Sequence, residues 1–380
     1  MEEKVGYEDQ DRNDRESLEE IQAETTVSKN QTEQKQHKRR VRYKGTHPRS
    51  YQEKYKELQP EKYPETIEKV IQKGGTPVGM HISICVKEIL DFLQIQPGQK
   101  GLDATLGYGG HTKEMLKCLQ GQGHLYALDV DPIESVKTKE RLEKAGYGEE
   151  ILTIRQMNFA DIDQIAREAG PFDFVLADLG VSSMQIDNPE RGFTYKKEGP
   201  LDLRLNPQKG VSAAERLKEV TEEELAGMLW ENSDEPYAEE IAATVMEKLR
   251  KGEPVETTIQ LQKAIEEALS FLPEREQKEA VKKSCQRTFQ ALRIDVNSEF
   301  EVLYAFMEKL PAALAPGGRV AILTFHSGED RIVKKAFKEL KRAGIYSEIA
   351  QDVIRPSAEE CTRNSRARST KMRWAVRAKE

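Results

Sequence analysis

The amino-acid sequence predicts an α/β fold, a Rossmann-like doubly wound sheet of mainly parallel strands with an α-helical domain inserted into it. Three features predict it. Short apolar runs that end in a glycine- or aspartate-bearing turn recur as GQKGLDATLG, GHLYALDVD, EEILTIRQMNF and FDFVLADLG, and helix-like segments separate them. That rhythm stops over residues 193–287, where TEEELAGMLWEN, YAEEIAATVMEKLRK and TIQLQKAIEEALSFL carry helical periodicity with Pro and Gly at the joints. It resumes with the helix SEFEVLYAFMEKLPAAL, the strand GGRVAILTFHS and a closing apolar strand, MRWAVRA.

In chain order, residues 1–76 form a charged extension too poor in apolar periodicity to offset the entropy of ordering, and disorder is expected there. Its basic run, residues 35–44 (KQHKRRVRYK), reads equally as an RNA-touching arm or a solvated tail. Residues 77–192 and 288–380 then make the sheet core, with the helical insertion between them. A chain that is 37% hydrophobic and 33% charged, with no apolar stretch of membrane-spanning length, is expected to have no membrane partner. The N-terminus lacks the apolar core of a signal peptide, so a cytoplasmic protein is expected. Cys85, Cys118, Cys285 and Cys361 lie far apart without a CxxC pair, which predicts reduced thiols and no metal. A net charge of −7 argues against indiscriminate coating of nucleic acid, though not against local basic patches.

The first turn, Asp103-Ala-Thr-Leu-Gly107-Tyr-Gly109-Gly110-His111, follows a strand and precedes a helix. Glycines there let the backbone approach a ligand, and the helix N-terminus adds free N–H donors. The G-x-G-x-x-G spacing of a dinucleotide site is absent, and a ligand with an adenosine and an amino acid, S-adenosylmethionine, suits the turn better. Asp129, at the end of the second strand, is placed to accept the ribose hydroxyls. Asp131, before Pro132, shapes the turn and starts the next helix. Phe159 either packs on adenine or closes the core at a strand end.

The fourth strand delivers Asp178 to the crevice beyond the sheet's carboxyl edge, where methyl donor and acceptor would meet. An aromatic amine is a weak nucleophile, so acceptors that hold its hydrogens and orient it would help, and Asp178 with its turn offers them. The competing role for Asp178 is to cap that turn. His326, after the fifth strand, lies beside Ser, Glu and Asp but without the G-x-S-x-G elbow of a hydrolase, and reads as a second catalytic candidate that stacks on the target or accepts a proton. Arg191 and Arg204 flank the crevice and are expected to touch RNA, whereas Phe193 and Tyr195 are expected to pack. The C-terminal run with Arg366, Arg368, Lys371 and Arg373 has no acid before Glu380 and is expected to bind RNA through one basic strand face.

DATLGYGGH, DVDP, DLGVSSMQIDNPERGFTYKKEGPLDLRL, TFQALRIDVNSE, GGRVAILTFHSGEDRIVK and NSRARSTKMRWAVR, in this order over the last three hundred or so residues, resemble the signature blocks of the RsmH (MraW) family of small-subunit rRNA cytosine-N4 methyltransferases. The resemblance implies a class I methyltransferase fold whose inserted helical domain helps to recognise RNA. It further implies an S-adenosylmethionine site lined by Gly109, Gly110, His111, Asp129, Phe159, Asp178 and Gln185. The implied target is a decoding-centre cytidine of 16S rRNA, met in an assembled or nearly assembled small subunit; a homodimer is compatible with it. The chain departs from the family pattern at residues 233–240, where acidic residues replace basic ones, at Gly328, at Ser365 and in its long charged extension. A relative acting on another RNA base and a ribosome-assembly factor without catalysis are the competing functions.

Overall fold

The computed structural model describes residues 83–379. The extension at residues 1–76 and its basic run at 35–44 lie outside the described residues. The described residues open with helix α1 (Val86–Leu93) and strand β1 (Lys100–Asp103), then alternate α2 (Gly110–Leu119), β2 (His124–Asp129), α3 (Pro132–Lys144), β3 (Leu152–Gln156), α4 (Ile162–Ala169) and β4 (Phe172–Asp178). Four neighbouring strands therefore end near one another at one edge of the sheet. A short helix, α5 (Ser183–Asp187), follows β4 and carries a capping box in which Ser182 and Gln185 satisfy each other's backbone N–H groups.

Five helices come next: α6 (Ala213–Glu219), α7 (Glu222–Ser233), α8 (Ala238–Arg250), α9 (Thr258–Ala268) and α10 (Glu274–Asn297). Helix α11 (Glu299–Ala313) leads back to β5 (Leu314–Thr324), and α12 (Ser327–Arg342), β6 (Tyr346–Ile349), α13 (Ala358–Arg363) and β7 (Lys371–Arg377) complete the described chain. The seven strands lie in the order β3-β2-β1-β4-β5-β7-β6. β1 to β5 run parallel, and β7 is antiparallel to both β5 and β6.

Both faces of the sheet are buried, as a parallel sheet requires. Side chains alternate along each strand, so Val175 and Ala177 of β4 join one core with Ile165 of α4, Phe306 of α11 and Phe337 of α12. Phe174 and Leu176 join the opposite core with Ile89 of α1 and Met115 and Leu119 of α2. A third core belongs to the helices between β4 and β5 and includes Leu217, Leu229, Ile241, Leu261 and Phe289, with Phe193 and Tyr195 packed against it. Both aromatics are thus packing residues. Helix α10 runs unbroken past residue 287 and joins two regions: Cys285, Phe289 and Leu292 belong to the helical core, while Gln290, Arg293 and Asn297 reach the crevice at the sheet edge.

The closing strand differs from expectation. β7 is not an exposed ribbon with one basic face but an interior strand between β5 and β6, and Arg373 on it is buried. β6 has no counterpart in the sequence reading.

Gly101 sets how closely β1 packs on β4. A Cβ there would lie 2.0 Å from the ring of Phe174, which is fully buried and has no room to retreat. Gly101→Ala should therefore lower unfolding stability in urea by about 1–3 kcal/mol, the usual cost of overpacking. Shortening the ring as Phe174→Leu in the same chain should recover part of the loss, and additive losses would show that the clash is not the cause.

Candidate active site

A cavity of about 370 Å³ lies beyond the carboxyl ends of β1, β2, β4 and β5. Its walls come from the 104–111 turn, Asp129, the 157–159 segment, the turn after β4, the α10–α11 junction, His326 and the 364–369 segment. Strands spaced about 4.8 Å apart set the distances along it: Asp178 on β4 is one spacing from the glycine turn of β1 and one from the end of β5, whereas Asp129 and His326 stand three spacings apart, about 14 Å. That span suits an elongated ligand with a second group beyond it.

The β1 turn is built around left-handed glycines. Gly107 has φ +48° and Gly109 φ +78°, and a Cβ on Gly109 would meet Thr138 at 2.7 Å. Asp103 holds the turn from below, accepting from Thr105 N–H at 3.1 Å and from the Thr112 hydroxyl at 2.6 Å. Asp129 closes it from the side: Oδ2 accepts the Gly107 N–H and Oδ1 the Asp131 N–H, each at 2.8 Å. Burial pushes its carboxyl up to about 7 despite these donors, with Asp131 and Asp103 adding repulsion. Each oxygen keeps acceptor capacity, and a ribose diol would supply the donors it lacks. Phe159 lines the same end and packs edge-on against Phe306 with centroids 5.2 Å apart. Of the two roles open to it in the sequence, packing against the core is the one seen.

Two residues beyond Asp129, the fully buried Asp131 does more than start a helix. Oδ1 caps α3 through Ile133 N–H and Glu134 N–H at 2.9 and 3.2 Å. Oδ2 accepts from Gln185 Nε2 at 2.9 Å and Arg191 Nη1 at 2.7 Å. Gln185 borders the cavity, but its amide is committed to Asp131 and to the Ser182 N–H.

Asp178 sits at the middle of the cavity wall. Its backbone N–H donates to Thr105 Oγ1 at 2.6 Å, and Oδ2 lies 3.4 Å from His111 Nδ1. Its other oxygen, Oδ1, is buried with no hydrogen-bond partner among the described residues. Buried acceptors are nearly always satisfied, so an orphan on a cavity wall marks where a donor is to be brought. His111 is buried, with Nε2 2.9 Å from the Ile84 carbonyl. Burial works against its charged form, yet the Asp178 carboxylate, the Ile84 carbonyl and Asp103 outweigh it and push the imidazole up to about 9.

At the far end His326 Nε2 lies 3.2 Å from Glu329 Oε1. Arg293 of α10 gives Nε and Nη2 to the two oxygens of Glu299 at 2.7 and 2.8 Å. Asn297 accepts the Leu205 N–H at 2.7 Å and donates to the Leu203 carbonyl at 2.8 Å, fixing Leu203 in the left-handed region at φ +64° and setting Leu205 in the cavity wall. Sequence reasoning missed Arg293, Asn297 and Glu329. Their signal was a polar stripe on helices whose other face is apolar, the same signal a solvated face gives.

The arginines need correction. Arg191 is buried, paired to Asp131 and donating to the carbonyls of Arg204 and Leu205 at 3.0 and 2.8 Å, so it cannot reach a phosphate. Arg373 is buried against Asp330 at 2.7 Å, and Lys371 pairs with the same carboxylate at 3.3 Å. Arg204 forks onto Asp202 at 2.8 Å. Arg191 and Arg373 are thus taken up inside the fold, whereas Lys371 and Arg204 are paired with carboxylates but stay partly exposed. Arg366 differs: it pairs with Asp187 at 3.0 Å but borders the cavity and keeps Nη1 buried without a hydrogen-bond partner. Arg368 is exposed.

The strand order with its antiparallel β7, the glycine turn after β1 and the acid after β2 define a class I methyltransferase architecture. The chain belongs to the MraW methylase family, whose sequence pattern matches residues 79–378. It is 70% identical over 342 residues to ribosomal RNA small subunit methyltransferase H 1 of Lachnoclostridium phytofermentans, covering 90% of this chain and 93% of that one. Identity is 68% over 347 residues to the protein of the same name from Agathobacter rectalis, covering 91% and 99%. A more distant relative, ribosomal RNA small subunit methyltransferase H of Koribacter versatilis, is 38% identical over 304 residues, covering 78% and 94%.

The His111–Asp178 pair makes stability depend on pH in a defined sense. A histidine held at about 9 in the folded chain, against about 6.5 unfolded, contributes stability in full below pH 6.5 and loses it as pH rises through 9. Wild type should thus lose on the order of 3 kcal/mol relative to His111→Asn between pH 6 and 9.5 in urea unfolding. Parallel pH profiles would mean that folding leaves the imidazole's proton affinity unchanged.

Proposed function

We propose that this protein transfers a methyl group from S-adenosylmethionine to the N4 amine of a decoding-centre cytidine, position 1402 of 16S rRNA. The observation that carries the reading is the orphaned Oδ1 of Asp178, one strand from a turn fitted to the cofactor, in a chain that aligns over nine-tenths of its length with small-subunit rRNA methyltransferases. Asp129, with its incompletely satisfied carboxylate, would hold the ribose; the 107–111 turn and Phe159 would hold the amino-acid and adenine parts, and Gln185 braces that wall through Asp131. Bound there, S-adenosylmethionine supplies an electrophilic methyl group.

The chain's own residues must present the amine. Cytosine N4 shares its lone pair with the ring, and an acceptor on its hydrogens both aims the nitrogen and favours pyramidal geometry. Asp178 Oδ1 is such an acceptor, and His111 faces the other oxygen of the same carboxylate. A target base would reach Asp178 only when splayed out of its stack, as enzymes that do chemistry on bases require. Arg366 at the cavity mouth and exposed Arg368 are the phosphate contacts this reading retains, with the helices between β4 and β5 as the larger RNA-facing surface. The substrate is an assembled or nearly assembled small subunit in the cytoplasm.

Purified protein, labelled cofactor and small subunits lacking the modification test this, with nuclease digestion and mass spectrometry of the product. N4-methylcytidine is expected. Asp178→Asn should lower turnover by roughly 100-fold or more while subunit affinity changes little, because the carboxylate acts on the reacting amine. A ring-carbon product, a methylated uridine or methyl on transfer RNA would refute the target, and no transfer to any RNA would favour an assembly role.

A further inference from the structure

We infer that Glu329 is a positioning residue that fixes His326 as the base accepting the proton the target amine must shed; the inference rests on the N4-amine reading above. The two residues stand at the end of β5 and in the first turn of α12, on the acceptor side of the cavity. Glu329 is 3% exposed. Its Oε2 accepts the Phe325 N–H at 2.8 Å, which locks the side chain, and Oε1 faces His326 Nε2 at 3.2 Å. Burial alone would raise this carboxyl; His326, the Phe325 N–H and Arg293 hold it below the usual carboxylate range.

The histidine ring is held from the other side too. Phe300 lies against it with centroids 5.9 Å apart, and Gly328 gives both rings their room: a Cβ there would come within 2.6 Å of Phe300 Cζ and 3.2 Å of His326 Nδ1. Neither ring nitrogen makes a hydrogen bond among the described residues, although Nε2 stands within ion-pair distance of Glu329, and both are buried. A carboxylate facing Nε2 keeps the ring proton on that nitrogen and leaves the Nδ1 lone pair free. Glu299 also brings a carboxylate oxygen near, but both its oxygens belong to Arg293, which leaves His326 and Glu329 as the working pair.

The chemistry needs such a pair. The amine nitrogen forms its bond to the methyl carbon with its lone pair while the carbon–sulfur electrons go to sulfur, so the nitrogen becomes cationic and holds one proton too many. That proton passes to His326 Nδ1, its N–H electrons return to nitrogen, and the imidazolium faces Glu329 before releasing the proton to water. Asp178 is the weaker candidate for this step, because it already faces His111, which holds its own proton at neutral pH.

Full-length wild type, Glu329→Gln, His326→Gln and the double variant test the assignment on undermethylated small subunits. Glutamine still accepts the Phe325 N–H, so melting temperature should stay close to wild type. We expect Glu329→Gln to lower kcat by roughly 10–100-fold with KM nearly unchanged, and the double variant to be no slower than His326→Gln alone. Nitrogen-15 NMR of cofactor-free protein needs no turnover: His326 should carry its proton on Nε2 in wild type and shift it toward Nδ1 in Glu329→Gln, whose amide NH2 then faces Nε2. An unchanged kcat, losses that multiply in the double variant, or a wild-type proton on Nδ1 would each overturn the inference. If wild type instead methylates RNA at another atom, or none at all, the N4 reading fails, and the inference fails with it.

Discussion

A fully buried carboxylate, that of Asp131, joins the parts of this protein that have to meet. It accepts two backbone N–H groups of α3, the amide of Gln185 after β4 and the guanidinium of Arg191 at the entry to the helices. Taking a charge out of water is costly unless it is both paired and hydrogen-bonded, and here every oxygen is used twice. Its own N–H is the donor that orients Asp129, so the acid proposed to hold the ribose is positioned by the same turn. Arg191 extends the connection to the carbonyls of Arg204 and Leu205, where Asn297 of α10 takes over. Cofactor turn, acceptor turn and helical region are thus one hydrogen-bonded unit.

Around that unit the cavity holds acidic groups in three different settings. Asp178 is faced by a histidine that is itself charged, which suits an oriented acceptor; Glu329 faces a ring with a free nitrogen, which suits proton transfer. Asp129 is a third case, a carboxyl whose burial is only partly compensated by its two backbone donors. A site arranged this way carries incompletely satisfied groups in the free protein, and the ligands that fill it complete the hydrogen bonding.

Much of the fold was legible because its signals are local. The first four strands and the fifth announce themselves as apolar runs ending in turns, and Asp129 stands where a strand-end acid must. β6 was not legible: Tyr-Ser-Glu-Ile is four residues with one buried side chain, and only pairing with β7 makes it a strand. The basic character of β7 pointed to a surface that does not exist, since Asp330 on a distant helix neutralises Lys371 and Arg373 within the fold. Likewise Arg191 looked like a free cation because its partner lies 60 positions away in sequence. Charge is visible along a chain; the countercharge that meets it in space is not.

The central claim, that Asp131 ties the cofactor turn to the acceptor turn and the helical region, is tested most directly by amide hydrogen exchange on Asp131→Asn. Asparagine can still cap α3 but cannot pair as a charge with Arg191. The account predicts that protection falls together in three separated stretches, the 107–111 turn, the 182–187 turn and the 203–205 segment, while β1 and β4 keep theirs. Loss confined to the start of α3 would contradict it and leave Asp131 as a helix cap alone.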